Sequence, residues 1–329
     1  HRDLHSFPTR RSSDLPILIL TSSPTTDEQE LCGPGTIIDI TYYWNGGANQ
    51  INVDGLNLEP DLHVSFTDNP DGGQDIRIYG WVSDDVNYTL YTGGAVAPCE
   101  NITVTGTITV WDLPVTPTIS GDDPVCAEST ATYTTESGMH DYDWHVTGGS
   151  FVGGTDTNIV TVEWGTGAVG TLTVTYKDIH DCSPLSAGLL EVDINPLPLV
   201  SFGFNEVEAG HNPVFSYCYP TELTVDLHHI YAGTAPFSVT YNVDGGTATT
   251  VTGLGEHGVI GVATLEPGLH TITVTDVVDA NGCHANAEFL SWCVATVEIY
   301  ESPMVSFGFN GMEARSEEHT SELQSRQSI

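Results

Sequence analysis

The sequence predicts an all-β protein, built as an elongated array of tandem β-sandwiches, and three observations carry that prediction. Apolar and polar residues alternate with period two: in "GTLTVTYKD", Leu172, Val174 and Tyr176 point one way while Thr171, Thr173 and Thr175 point the other. "NIVTVEWG", "FSVTYNV", "HTITVTD" and "ATVEIYESP" read alike. Helix-forming Lys, Arg, Met and Gln are scarce and no 3.6-period stripe stands out, while 34 Gly and 18 Pro cut the chain into short segments with turn chemistry between them. The third observation is a repeat: "PLVSFGFNEVEA" at 198–209 returns as "PMVSFGFNGMEA" at 303–314, which sets a domain scale of 105 residues.

The two ends are expected to lie outside that array. Residues 1–15, "HRDLHSFPTRRSSDL", back-translate without a mismatch to a standard short-read sequencing adapter, and "RSEEHTSELQS" at 315–325 back-translates to its partner. Segments 1–15 and 315–329 are therefore expected to be non-native tails without a fold of their own, and the native part a gene fragment from about Pro16 to Ala314. Five of the seven Lys and Arg sit in those tails, leaving 39 acids against Arg77 and Lys177. Such a surface repels nucleic acid and anionic membrane, and it suits a salty medium or divalent cations.

Pro-bearing junctions "WDLPVTP", "INPLP" and "ESP" divide the array into unit 1 (16–114), unit 2 (115–197), unit 3 (198–302) and the start of a truncated unit 4 (303–314). Units 1 and 3 share "GGANQINVDGL" against "GGTATTVTGL" and "LEPDLH" against "LEPGLH". Each of the first three units has one early and one late cysteine. Pairs Cys32–Cys99, Cys126–Cys182 and Cys218–Cys283 are expected as staples within units, with Cys293 left over. The competing reading is a set of buried free thiols. Staples imply an oxidising compartment, hence export.

Unit 2 carries the clearest family marks. "SGDDPVC", "TYTTESGM", "YDWHVTGG", "TVEWG" and a closing "TVTY" before Cys182 resemble the PKD-like, immunoglobulin-like repeats of secreted Bacteroidota surface proteins. "GTAPFSVTYNVDGG", "LEPGLHTITVTD" and "DANGC" of unit 3 resemble repeats of gliding-motility adhesins from the same bacteria. The resemblance implies immunoglobulin-like (PKD-like) sandwiches, display outside the cell by the type IX route, and a C-terminal sorting domain elsewhere. Unit 2 departs from it by closing on "IHDC", and unit 1 lacks the "DANGC" turn. The expected unit 2 core is Cys126, Tyr133, Trp144, Val162, Leu172, Val174 and Cys182, with Trp144 plugged against a nearby disulfide and Val160, Val162 and Trp164 on the facing sheet.

Catalytic frames are missing: no G-x-S-x-G elbow, H-E-x-x-H pair, phosphate loop or C-x-x-C occurs. A non-catalytic role is expected. His145 should face solvent, and His228 and His229, being adjacent on a strand, should point to opposite faces and not share a metal. Acid-rich turns offer calcium, the one candidate cofactor, oxygen ligands at Asp68, Asp71 and Asp75, at Asp276, Asp279 and Asn281, and at Asp122 and Asp123 beside the first junction. The competing reading is that these are solvated turns. Tyr42 and Trp44 share one side of a strand and could stack on a sugar ring or fill the core.

The expected function is a non-catalytic stalk or adhesive segment of an exported cell-surface adhesin, extracellular or on the outer membrane, meeting a glycan or protein ligand. The alternative is a set of accessory, carbohydrate-contacting modules of a secreted hydrolase. No nucleic-acid partner and no transmembrane segment is expected within the fragment.

Overall fold

The computed structural model describes residues 16–46, 48–56, 59–95, 100–205, 207–208, 213–261, 264–305, 307–309 and 312–314. Both expected tails and Cys99 lie outside the described residues. The alternating segments form strands as expected, and they bury three separate hydrophobic cores, each between two facing sheets.

The first sandwich sets strands Ile17–Leu20, Gly35–Thr36, Ile40–Asn45, Leu62–Asp68 and Gln74–Val82 against Glu28–Cys32, Gln50–Asp54, Val86–Gly93 and Thr103–Trp111. Ile40, Tyr42, Ile76 and Ile78 of one sheet meet Tyr88, Leu90 and Ile108 of the other. The Tyr42 and Tyr88 hydroxyls satisfy each other at 3.1 Å in that apolar interior. Arg77 and Lys177 stay at the surface in ion pairs, Arg77 with Asp39 at 2.6 Å and Lys177 of the second sandwich with Asp141 at 3.0 Å.

In the second sandwich, Val125–Cys126, His140–Thr147, Val169–Lys177 and Gly188–Asn195 face Thr130–Thr134, Gly149–Phe151 and Ile159–Trp164. Period-two patterning works here as read: Tyr133, Trp144, Val160, Val162, Trp164, Leu172 and Val174 are all in the core, and His145 is exposed. Cys126 is only half-buried, at the edge of that core. Among the described residues the second sandwich carries its bridges at Cys126 and Cys182, near its ends, whereas Trp144 sits mid-strand and its indole N–H donates to the Thr157 carbonyl at 2.9 Å.

The third sandwich sets Leu199–Phe204, Val207–Glu208 and Val225–Ala232 against Val214–Cys218, Phe237–Val243, Thr249–Leu254, Gly268–Val278 and Val294–Tyr300. Sequence periodicity missed its one-and-a-half-turn helix, Ala287–Trp292, which is too short to show a stripe and starts on the Asn286 side chain, an acceptor for the Phe289 N–H. Beyond Ser302, strands Phe307–Phe309 and Met312–Ala314 form a hairpin.

One topological feature recurs in all three sandwiches. A short early strand runs parallel to the last strand, and its final residue is a cysteine: Cys32 opposite Trp111, Cys126 opposite Asn195, Cys218 opposite Tyr300. The residue after each cysteine donates its N–H to the opposing carbonyl at 2.8 Å in every case: Gly33 to Trp111, Ala127 to Asn195, Tyr219 to Tyr300. The early cysteine thus stands at the trailing end of its sandwich, where the chain leaves for the next.

Candidate functional site: the junctions between sandwiches

The two described late cysteines, Cys182 and Cys283, stand at the opposite, leading end. Cys182 and Cys283 close matching turns. In the second sandwich one Asp178 side-chain oxygen accepts the N–H groups of His180 and Cys182, both at 2.9 Å. In the third, Asp279 does the same for Asn281 and Cys283, also at 2.9 Å. Asp181 and Gly282 take the positive-φ position before each cysteine, at 61° and 79°. "IHDC" and "DANGC", read as different in sequence, are therefore one device, D-x-x-x-C, with an Asp serving as its hub.

This placement corrects the expected pairing. Cys32 is bonded to Cys182 and Cys126 to Cys283, so each bridge joins an early cysteine to the late cysteine of the following sandwich. A nine-residue strand such as Val169–Lys177 spans about 30 Å, whereas a disulfide needs Cα atoms about 4–7 Å apart. In the second and third sandwiches the early and late cysteines lie at opposite ends and cannot meet, while across a junction the Cα atoms are 5.2 and 5.5 Å apart. Cys218, expected to bond Cys283, is free and exposed, and Cys293 is also free.

Other groups reinforce the first junction. The Trp111 indole stacks on the His180 ring at 3.5 Å, with the planes 10° apart, beside the Cys32–Cys182 bridge. Tyr176 donates its hydroxyl proton to the Val115 carbonyl at 3.1 Å in the connecting segment. Glu136 holds the start of the second sandwich by accepting from the Thr118 N–H and hydroxyl and from the Thr135 hydroxyl. Partial burial raises the Glu136 pKa, but these donors outweigh it and hold the carboxyl at about 2. A carboxyl depressed in the folded state contributes stability above its unfolded pKa and loses it as pH falls through the folded one. Melting of the chain between pH 7 and pH 2 should therefore show the second sandwich weakening from about pH 4.5 downward, and Glu136→Gln should flatten that part of the profile.

The remaining candidates fall elsewhere. Asp71 accepts from the Tyr43 hydroxyl at 2.6 Å and the Gly73 N–H at 3.0 Å, and Asp68 accepts from the Gln74 amide at 2.6 Å, closing a hairpin. Asp75 sits in the following strand opposite Thr67. Asp276 contacts His284 at 3.0 Å, and Asp279 and Asn281 belong to the cysteine turn. Asp122 and Asp123 are not beside the first junction. The chain runs the length of the second sandwich before reaching them, and Asp123 accepts from the Asp193 N–H near the trailing end, at 2.9 Å. Among the described residues, none of the seven aspartates belongs to a group of three His, Cys, Asp or Glu side chains whose ligand atoms lie within 4.8 Å of one another. With Asp68, Asp71, Asp123 and Asp279 already accepting protein hydrogen bonds, melting with excess calcium and with a chelator is expected to give the same transition. A calcium-dependent rise would show a site built from backbone oxygens.

Tyr42 is 1% exposed and belongs to the core, and Trp44 packs against the same cluster, so no sugar-stacking face forms there. The histidine expectation also changes. A β-bulge between Ser201 and Phe202 inserts His228 as an extra residue in its strand, so the usual alternation fails and the His228 and His229 rings meet at 4.8 Å. His228 groups with Asp226 and His257, and with Glu208 and His229, as donor sets able to hold a borderline divalent ion. Nearby, a cleft of about 680 Å³ opens between the sheets, lined by Phe202, Phe204, Tyr231, Phe289, Trp292 and Cys293. Burial pushes the Cys293 thiol up to about 12, which keeps it protonated and unreactive at neutral pH.

Residues 113–192 match the PKD-like domain family. That match spans the second sandwich as far as Val192, within its last strand, and includes the turn from Asp178 to Cys182. No curated protein matches the chain. Among solved structures, the Escherichia coli adhesin FdeC is 15% identical over 87% of this chain and 97% of its own, with a TM-score of 0.29. A Ca2+-stabilized adhesin with which an Antarctic bacterium binds ice is 11% identical over 91% of this chain and 77% of its own, with a TM-score of 0.41. The immunoglobulin domains 1–5 of Sidekick-1 are 10% identical over 87% of this chain and 59% of theirs, with a TM-score of 0.33. All three TM-scores are below 0.5. Among the described residues no helix is long and apolar enough to cross a membrane.

Proposed function

We propose that the chain is a non-catalytic stalk or adhesive segment of an exported, cell-surface adhesin, built to hold successive sandwiches in fixed relation. The observation that carries this reading is that both bridges cross from one sandwich to the next. A single linker leaves two domains free to bend and twist. A second covalent attachment turns that hinge into a two-point joint, and Pro114 and Pro117 in the first connection, Pro196 and Pro198 in the second, stiffen the strand that completes it. Disulfides persist in oxidising surroundings, which favours the extracellular reading, and 44 acids against 7 Lys and Arg keep such arrays apart from one another and soluble in salt.

The reading is tested by small-angle X-ray scattering of the chain before and after mild reduction. The oxidised chain should fit one conformation. Reduction should broaden the distribution of distances between sandwiches while circular dichroism stays unchanged. Identical scattering in both states would mean that the bridges do not set the arrangement, and the stalk reading would lose its support.

A further inference from the structure

We propose that Cys218 is the covalent attachment point for a following sandwich, and that its partner is the cysteine of a D-x-x-x-C turn in that sandwich. The inference rests on the stalk reading and extends it to a site that has no partner among the described residues.

Three positions in the chain are structurally equivalent, and two of them are already bonded. Cys32, Cys126 and Cys218 each end the short strand parallel to the last strand, and each is followed by the same 2.8 Å backbone hydrogen bond. Cys32 and Cys126 reach forward to Cys182 and Cys283. Cys218 is exposed with its sulfur free. Beside it, Tyr300 occupies the place that Trp111 holds beside Cys32, and its side chain is 50% exposed where Trp111 is stacked on His180 of the next sandwich. The trailing face of the third sandwich thus repeats the thiol and the aromatic platform of the first, without the turn that covers them there.

The start of a unit that would cover it follows at once in the chain. Residues 303–314 repeat 198–209 in sequence. The hairpin pair Phe309 with Met312 reproduces the pair Phe204 with Val207, 105 residues on. A further sandwich of the third kind would carry its own D-x-x-x-C turn. The existing bridges have sequence separations of 150 and 157, and the same separation from Cys218 falls beyond residue 329. Bond formation joins the two sulfurs. Both thiols lose a proton, and the electron pair passes to a small-molecule disulfide, which is reduced to two thiols.

The test extends the chain after Ser302 with a second copy of 198–302, in which Asn281→Gln marks the turn peptide by mass and Cys218→Ser removes the copy's own exposed thiol. The protein is made under oxidising conditions with oxidised glutathione, then alkylated and digested without reduction. The Cys218 peptide should be found joined to the marked turn peptide. Maleimide uptake at Cys218 should fall from nearly one per chain in the unextended protein to nearly none in the extended one. A second extension with residues 115–197, whose turn ends in Cys182, should capture Cys218 likewise, which guards against misfolding of one added unit. Alkylated Cys218 in both extended chains overturns the proposal, as does Cys218 joined to the unmarked Cys283, to Cys293, or to Cys218 of another copy. The Cys32–Cys182 and Cys126–Cys283 peptides in the same digests report separately on the stalk reading. If they are present while Cys218 stays free, only the attachment point fails.

Discussion

Replacing Trp164 with alanine is expected to cost the second sandwich about 3–5 kcal/mol, a large part of the stability of an ordinary domain. Trp164 is 1% exposed and ends the strand Ile159–Trp164 in the middle of the core. Its indole N–H donates to the Tyr133 hydroxyl at 3.0 Å, with the rings edge to face at 5.9 Å, and that hydroxyl in turn donates to the Asp122 carbonyl at 2.9 Å. The slot around it is walled by glycine. A Cβ on Gly170 would lie 2.1 Å from Trp164 Cζ3, and one on Gly149 would lie 3.0 Å from Cε3. Those positions have no side chain to swing into the space that alanine leaves, so the cavity stays open and the full cavity penalty applies. Trp164→Phe keeps most of the buried ring and loses the hydrogen bond, for a smaller cost of about 1–2 kcal/mol. Calorimetry should show one transition moving while those of the other two sandwiches hold; an unmoved transition would mean that this core is not as described.

The second large effect is mechanical. Between Cys32 and Cys283 the shortest covalent route crosses the first bridge to Cys182, runs back along the chain to Cys126, and crosses the second bridge. A chain pulled from its two ends should therefore unravel between those cysteines by about 90 nm when reduced and by only about 20 nm when oxidised, at roughly 3.5 Å per residue. Removing one bridge with Cys32→Ser should give about 35 nm on the same scale, because the route then follows the chain from residue 32 to Cys126. Force-extension traces of single molecules, with and without reductant, measure these lengths directly. An oxidised chain that releases the reduced length would show that the bridges carry no load.

Much of this architecture was legible in the sequence, and the parts that were not have definite causes. Alternation in "NIVTVEWG" and "GTLTVTYKD" placed Val160, Val162, Trp164, Leu172 and Val174 in the second core, because a side-chain period of two depends only on local backbone geometry. The cysteine partners depend on where a strand's ends lie. Sequence order makes Cys126 and Cys182 an early and a late member of one unit and says nothing of the strand's length that separates them. A readable signal did exist in the shared D-x-x-x-C spacing of "DIHDC" and "DANGC", which marks Cys182 and Cys283 as equivalent. His228 and His229 escaped for a different reason. A bulge is a local exception to alternation, and nothing in "DLHHIYA" announces it. Tyr42 was left between core and sugar face because an aromatic residue serves either, and only the position of its strand in the sheet puts it inside.

The covalent joint between sandwiches is most directly tested by mapping the disulfides of the chain made under oxidising conditions, alkylated and digested without reduction. The peptide containing Cys32 should be found joined to that containing Cys182, and the Cys126 peptide to the Cys283 peptide, with Cys218 alkylated. Cys126 joined to Cys182, or Cys218 joined to Cys283, would place the bridges within the sandwiches and contradict the account.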